Sequence, residues 1–199
     1  MSFFRSGKAR VLHALGRLRP VRAMGSRGNA AIEFALLAPI FAVILAGGID
    51  LAVLIMSRFH LEATVSNSAS YALVKADMVD AENSSDLAET MATMIASEDT
   101  TGETQASIVI NNGAIADYDG AKISIHGTAS RADACYCPDG TATSLDWGSE
   151  RSCASSCPKG SEAGKYVVIT VKQAYAPLFS SFGIIKDDSI QASAIVRTK

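Results

Sequence analysis

The chain has 199 residues and a formal net charge of −2, enough for one modest domain with additions. The near balance hides a split: Arg5, Lys8, Arg10, Arg17, Arg19, Arg22 and Arg27 precede any acid, while everything after Ala31 is acidic on balance. A basic tail of this kind faces nucleic acid or an anionic membrane surface. No phosphate-binding Gly loop, His-Glu-x-x-His or Gly-x-Ser-x-Gly run points to an enzyme.

The segment after the tail decides for the membrane and against nucleic acid. Phe34 to Ile49 carries no charge, and after Asp50 the chain stays apolar through Met56. As a helix this stretch extends roughly 35 Å at about 1.5 Å per residue. A hydrocarbon core is about 30 Å thick, so the helix spans it with a tilt. The run is apolar on every face, unlike a helix that packs one side on a soluble core. Its basic flank is amino-terminal, so the positive-inside rule puts the N-terminus in the cytoplasm and the remainder outside. Pro39 lies inside this helix and removes one hydrogen bond, as a kink or as a tolerated bend near the start. Asp50 reads either as a functional intramembrane acid or as an acid at the outer lip, with Arg58 marking the aqueous side.

Beyond Arg58, Leu61, Val65, Ala69, Ala72 and Leu73 recur near helical spacing, so the helix continues past the membrane. Asn83 to Ser85 reads as a break. Asp86 followed by Glu89 resembles a capping box, and Leu87, Met91, Met94 and Ile95 form one apolar face of a second helix. Ser97 to Gln105 is polar and loop-like. The period then changes to two: Ser107–Ile110 is a short strand, Ile123 and Ile125 alternate with polar residues in a half-buried one, and Tyr166–Val171 is rich in β-branched residues. Asp187 and Asp188 read as a solvated turn before a last strand in which Ile190, Ala192, Ala194 and Val196 alternate. Helices precede strands, which predicts an α+β head with an antiparallel sheet.

Residues 131–164 are rich in Gly, Ser, Pro and Cys and have no period. Cys135, Cys137, Cys153 and Cys157 all lie in this loop, on the exported side, where an even count suggests disulfides. A four-thiolate zinc site is the alternative, although Cys-x-Cys is tighter than the usual gap. Cysteines allow three pairings here, of which cross-pairing between the clusters would close the loop around Trp147.

The junction between tail and helix reads Gly28-Asn29-Ala30-Ala31-Ile32-Glu33-Phe34. A carboxylate at the lip of a membrane helix is costly unless it is paired or reaches the headgroups. A cut after Gly28 would create an α-amino group at Asn29, about one helical turn from Glu33. That cation could meet Glu33 of the same chain or of a neighbour in a bundle of parallel helices. The simpler alternative is that Glu33 favours the positive end of the helix dipole.

Arg27-Gly28-Asn29-Ala30-Ala31-Ile32-Glu33-Phe34 leading through Pro39 resembles the start of the TadE-like family, pilin-like minor components of tight-adherence (Flp, type IVb) pili. Gly48-Ile49-Asp50 is similar to the family's acid near the far end of the helix. Val167 to Val171, Tyr175-Ala176-Pro177-Leu178 and Ala192-Ser193-Ala194 resemble its closing strands. The resemblance implies cleavage between Gly28 and Asn29 by a prepilin peptidase. It implies a recognition or assembly role for Glu33, and a place in building or anchoring the pilus at the inner membrane among other pilins and assembly proteins. The expected organisation is a basic cytoplasmic leader (1–28), a transmembrane helix (29–57) and an extracytoplasmic head (58–199), with Glu33, Phe34, Pro39 and Asp50 serving assembly and no cofactor. The rival is a signal-anchored periplasmic binding module whose cysteine-pinned loop recognises a ligand or partner.

Overall fold

The computed structural model describes residues 26–177 and 188–199. The basic tail through residue 25, Leu178 and Asp187 lie outside the described residues. The chain divides into two compact units, Met1–Val43 and Ile44–Lys199.

In the first unit the described residues are helical and belong to α1 (Ser26–Val74), which contains Pro39. In the second unit α1 leads through a 3-10 turn (Ala76–Met78) to α2 (Ser84–Glu98). Among the described residues seven strands follow: β1 (Thr104–Ile110), β2 (Ala114–Tyr118), β3 (Ile123–Gly127), β4 (Asp139–Thr141), β5 (Ser144–Asp146), β6 (Tyr166–Ala174) and β7 (Ser189–Arg197). Five of them form one sheet in the order β3-β2-β1-β6-β7, antiparallel throughout. This is the α+β architecture expected, a long apolar amino-terminal helix followed by a helix packed on an antiparallel sheet.

Alternation places Ala106, Ile108 and Ile110 of β1, Ala114, Ala116 and Tyr118 of β2, and Val167, Ile169 and Val171 of β6 on the inner face. Registers Ala116–Ile108–Ile169 and Tyr118–Ala106–Val171 run straight across the strands. Two helical stripes close over this face. One comes from α2 as Leu87, Ala88, Met91, Ala92 and Ile95. The other comes from α1 as Leu61, Val65 and Ala72. Leu73, expected in that stripe, instead points outward, and Met94 is only partly buried.

Several local expectations change. β2 buries Ala114, Ala116 and Tyr118 and turns Ile115 to its outer side, so it has no clear sequence signal. β3 forms where expected but is an edge strand, exposed along most of its length. The break before α2 is set by Asp80 rather than by an Asp86–Glu89 box. The Asp80 carboxylate accepts from the amides of Glu82 and Asn83 and from the Asn83 side chain, and Asn83 makes no side-chain cap. The polar stretch after α2 is likewise organised by one acid. Asp99 Oδ1 accepts from the amides of Thr101 and Gly102 and from the Thr101 hydroxyl, and Oδ2 accepts from the Thr104 amide and the Tyr118 hydroxyl.

The β1–β2 turn joins the sheet to the cysteine-rich lobe. Asn111 and Asn112 both have positive φ (48° and 57°) and the Gly113 amide donates to the Ile110 carbonyl, the geometry of a type I′ hairpin turn. Asn111 is fully buried. Its amide nitrogen donates to the carbonyls of Ala132 (2.9 Å) and Ala134 (2.6 Å), while its side-chain oxygen accepts from the Tyr166 amide (3.1 Å). A Cβ on Gly113 would come within 2.9 Å of the Ala132 Cβ, so glycine is needed for this close approach.

Two predictions follow from these networks. Replacing Asn111 by Ala takes the partner from three backbone groups, buried or half-buried, and should cost about 2–3 kcal/mol in urea unfolding of the full chain. Asp99 is pushed up by burial, but its amide and hydroxyl donors outweigh that and hold it below its usual value. A folded pKa below the unfolded one stabilises above the unfolded value, about 3.9, and this contribution is lost as pH falls through the lower folded value. Asp99→Asn should therefore flatten the acid limb of the stability profile below about pH 4, measured by thermal melts across pH.

Candidate functional site: a membrane helix and its attached head

Gly28 and Asn29 lie in the first turns of α1. Glu33 and Phe34 follow on an exposed part of the helix, with the Phe34 side chain 72 % exposed, and Pro39 is exposed as well. From residue 30 onward the helix is long and apolar enough to cross a membrane, and its most apolar window has a mean hydropathy of 2.4 with none of it buried. A helix of a soluble core would bury one face here. Exposure on all sides suits a solvent of lipid, where the backbone is satisfied within the helix and only side chains meet the hydrocarbon. Among the described residues this is the one helix long and apolar enough to cross a membrane, and it fits a single-pass membrane protein.

Asp50 is placed differently from the other acid. It belongs to the second unit and is half-buried. The Tyr175 hydroxyl donates to the Asp50 carbonyl oxygen (3.0 Å) and lies 3.1 Å from its carboxylate Oδ1. Tyr175 follows directly on β6, and its amide donates to the Asp188 carbonyl at the start of β7, so the sheet holds the phenol in place. Burial, followed by the Asp50 hydrogen bond and charge, pushes the Tyr175 phenol above its ordinary value and keeps it a donor. Sequence reasoning marked both residues without connecting them, because no local signal links positions 125 apart.

The cysteines are joined between clusters, Cys135 to Cys153 and Cys137 to Cys157. All four sulfurs are therefore committed to covalent bonds, and the four-thiolate zinc arrangement is not formed. Tyr136 lies between two half-cystines and is fully buried. Its amide and carbonyl pair with Gly164, its hydroxyl donates to the Arg131 carbonyl, and its ring meets Trp147 edge-on at 5.7 Å. The lobe also contains a small hairpin, β4–β5, which the aperiodic sequence did not reveal. An ion pair from Lys159 to Asp139 ties this hairpin to the turn after Cys157.

The family model described as TadE-like protein matches residues 28–70, beginning at Gly28 itself. That family is associated with tight-adherence pilus systems, and the likeness to it lies within α1. No curated protein and no solved structure matches the chain.

The lobe's own apolar cluster consists of Cys135, Cys157 and Ala163 with Cys137 against them, so its packing depends on the disulfides. Each bridge closes a short loop, worth about 3 kcal/mol. Reduction should abolish the near-ultraviolet dichroism of the Tyr136–Trp147 pair while leaving the far-ultraviolet strand signal of the five-stranded sheet.

Proposed function

We propose that the chain is a pseudopilin-like structural component that assembles or anchors a tight-adherence (Flp, type IVb) pilus after a prepilin peptidase cuts between Gly28 and Asn29. The observation that carries this reading is the TadE-like match starting at Gly28 and running through the exposed apolar helix. Cleavage there removes the basic leader and leaves an α-amino cation at Asn29. In α1, Asn29 and Glu33 are a helical turn apart, the spacing at which opposite charges interact. In a layer of low dielectric such a pairing is worth more than at a wet surface, and it fixes the register between parallel helices. Phe34 and the residues beyond it supply the apolar surface along which helices associate. The protein resides in the inner membrane with its amino terminus in the cytoplasm and its head in the periplasm, and its partners are the peptidase and the pilins and assembly proteins of the same system.

The disulfide-pinned lobe favours one rival, a signal-anchored periplasmic binding module that needs no cut. N-terminal sequencing of the mature protein, from cells with and without the peptidase, separates the two. The pilin reading expects a start at Asn29 that disappears in the peptidase-deficient strain and in a variant at Gly28 or Glu33. Mature protein that begins at Met1, with adhesion intact, would sink it.

A further inference from the structure

The turns of α1 that follow Asp50 face two environments. On one side Leu54 packs against the head's core, Leu61 is buried in it, and Asp50 is bonded to Tyr175. On the other sides Leu51, Val53, Ile55, Met56 and Phe59 are exposed, Met56 by 72 % and Phe59 by 67 %. This apolar surface continues without interruption from Ile44, Leu45 and Ile49, within the same unit. Water would be a costly neighbour for so many large side chains, about 25 cal/mol per Å² of apolar area left wet.

The sheet supplies a direction. Tyr175 follows the end of β6 where Gln173 pairs with Thr104 and Ile190, whereas Tyr166, at the other end of the strand, bonds to Asn111 beside the cysteine lobe. The two ends are separated by the length of β6, about 30 Å. The end that meets Asp50 is thus the end nearest the apolar stretch, and the lobe sits at the far end.

We propose that the Tyr175 end of the sheet is seated in the outer interfacial layer of a lipid bilayer, where Tyr175 holds Asp50 while Leu51, Ile55, Met56 and Phe59 contact lipid. This inference rests on the membrane-spanning reading of the helix. A phenol suits the site, since an apolar ring with one polar tip favours the membrane–water boundary. Its hydroxyl also gives the Asp50 carboxylate a protein donor at a depth where an acid is otherwise expensive. The cysteine lobe then stands about 30 Å from the lipid, at the tip of the head.

The test uses the full-length protein in vesicles of phosphatidylcholine and phosphatidylglycerol, with single nitroxides at Leu37, Ile55 or Leu73. Collision with oxygen is compared with collision with a water-soluble nickel chelate. The expected result is lipid-like accessibility at Leu37 and Ile55 and water-like accessibility at Leu73. A water-like Ile55 beside a lipid-like Leu37 overturns the seating and leaves the membrane helix standing. A water-like Leu37 overturns the membrane reading itself. Tyr175→Phe, which keeps the ring, should raise chelate access at Ile55 about threefold as the acid, deprived of this donor, moves toward water, and adding Asp50→Asn should reverse the rise. Unchanged access in Tyr175→Phe would show that this tyrosine does not hold the helix at depth.

Discussion

The head has no complete core without the membrane helix. Leu61, Val65 and Ala72 of α1 lie in the same cluster as the inner face of the sheet and the apolar face of α2. One helix therefore obeys two different solvents. In its earlier turns it is apolar all round, and in its later turns it buries Leu61, Val65 and Ala72 in the head's core. Thr64, buried beside Val65, is hydrogen-bonded to Glu98 at the end of α2, which ties the antiparallel helices together at one end. At the other end Lys165 donates to the Val79 carbonyl and Asp133 accepts from the Ala81 amide, joining the α1–α2 connection to the lobe and to β6. Removing the helix would expose an inner sheet face, not merely untether a finished domain.

This arrangement gives Glu33 and Asp50, two of the acids in α1, different surroundings. Glu33 is on an exposed part of the helix, in the segment matched by the TadE-like model, and belongs to recognition and assembly in the proposed function. Asp50 lies in the same matched segment but engages Tyr175 of its own head. The two positions therefore have different surroundings in the fold, one on an exposed part of the helix and one against Tyr175.

Much of the architecture was legible because periodicity reports burial directly. The all-round apolar run announced α1, the β-branched run Tyr166–Val171 announced β6, and the alternation in Ile190–Val196 announced β7. β2 was hidden because its buried positions are Ala114, Ala116 and Tyr118 while Ile115 faces outward, so the stronger hydrophobe lies on the weaker side. The turns escaped for another reason: Asp80, Asp99 and Asn111 act through backbone amides and carbonyls whose positions depend on tertiary structure. Residue type alone marked Gly28, Glu33, Asp50 and the cysteines as special. It could not supply the Asp50–Tyr175 contact or choose among cysteine pairings, since both are set by chain segments that meet only in the fold.

The crossed disulfides also bear on how the sheet comes together. β1 must pair with β6 across a long intervening stretch, and the lobe lies within that stretch, between β3 and β6. Bridges between residues 18 and 20 apart can close locally, before any strand of the main sheet finds a distant partner. Once they close, the route from β3 to β6 is shorter and the entropy lost in bringing β6 onto β1 is smaller. Oxidation of the lobe thereby lowers the entropic cost of sheet assembly, by well under about 1 kcal/mol, besides holding the lobe's own packing together.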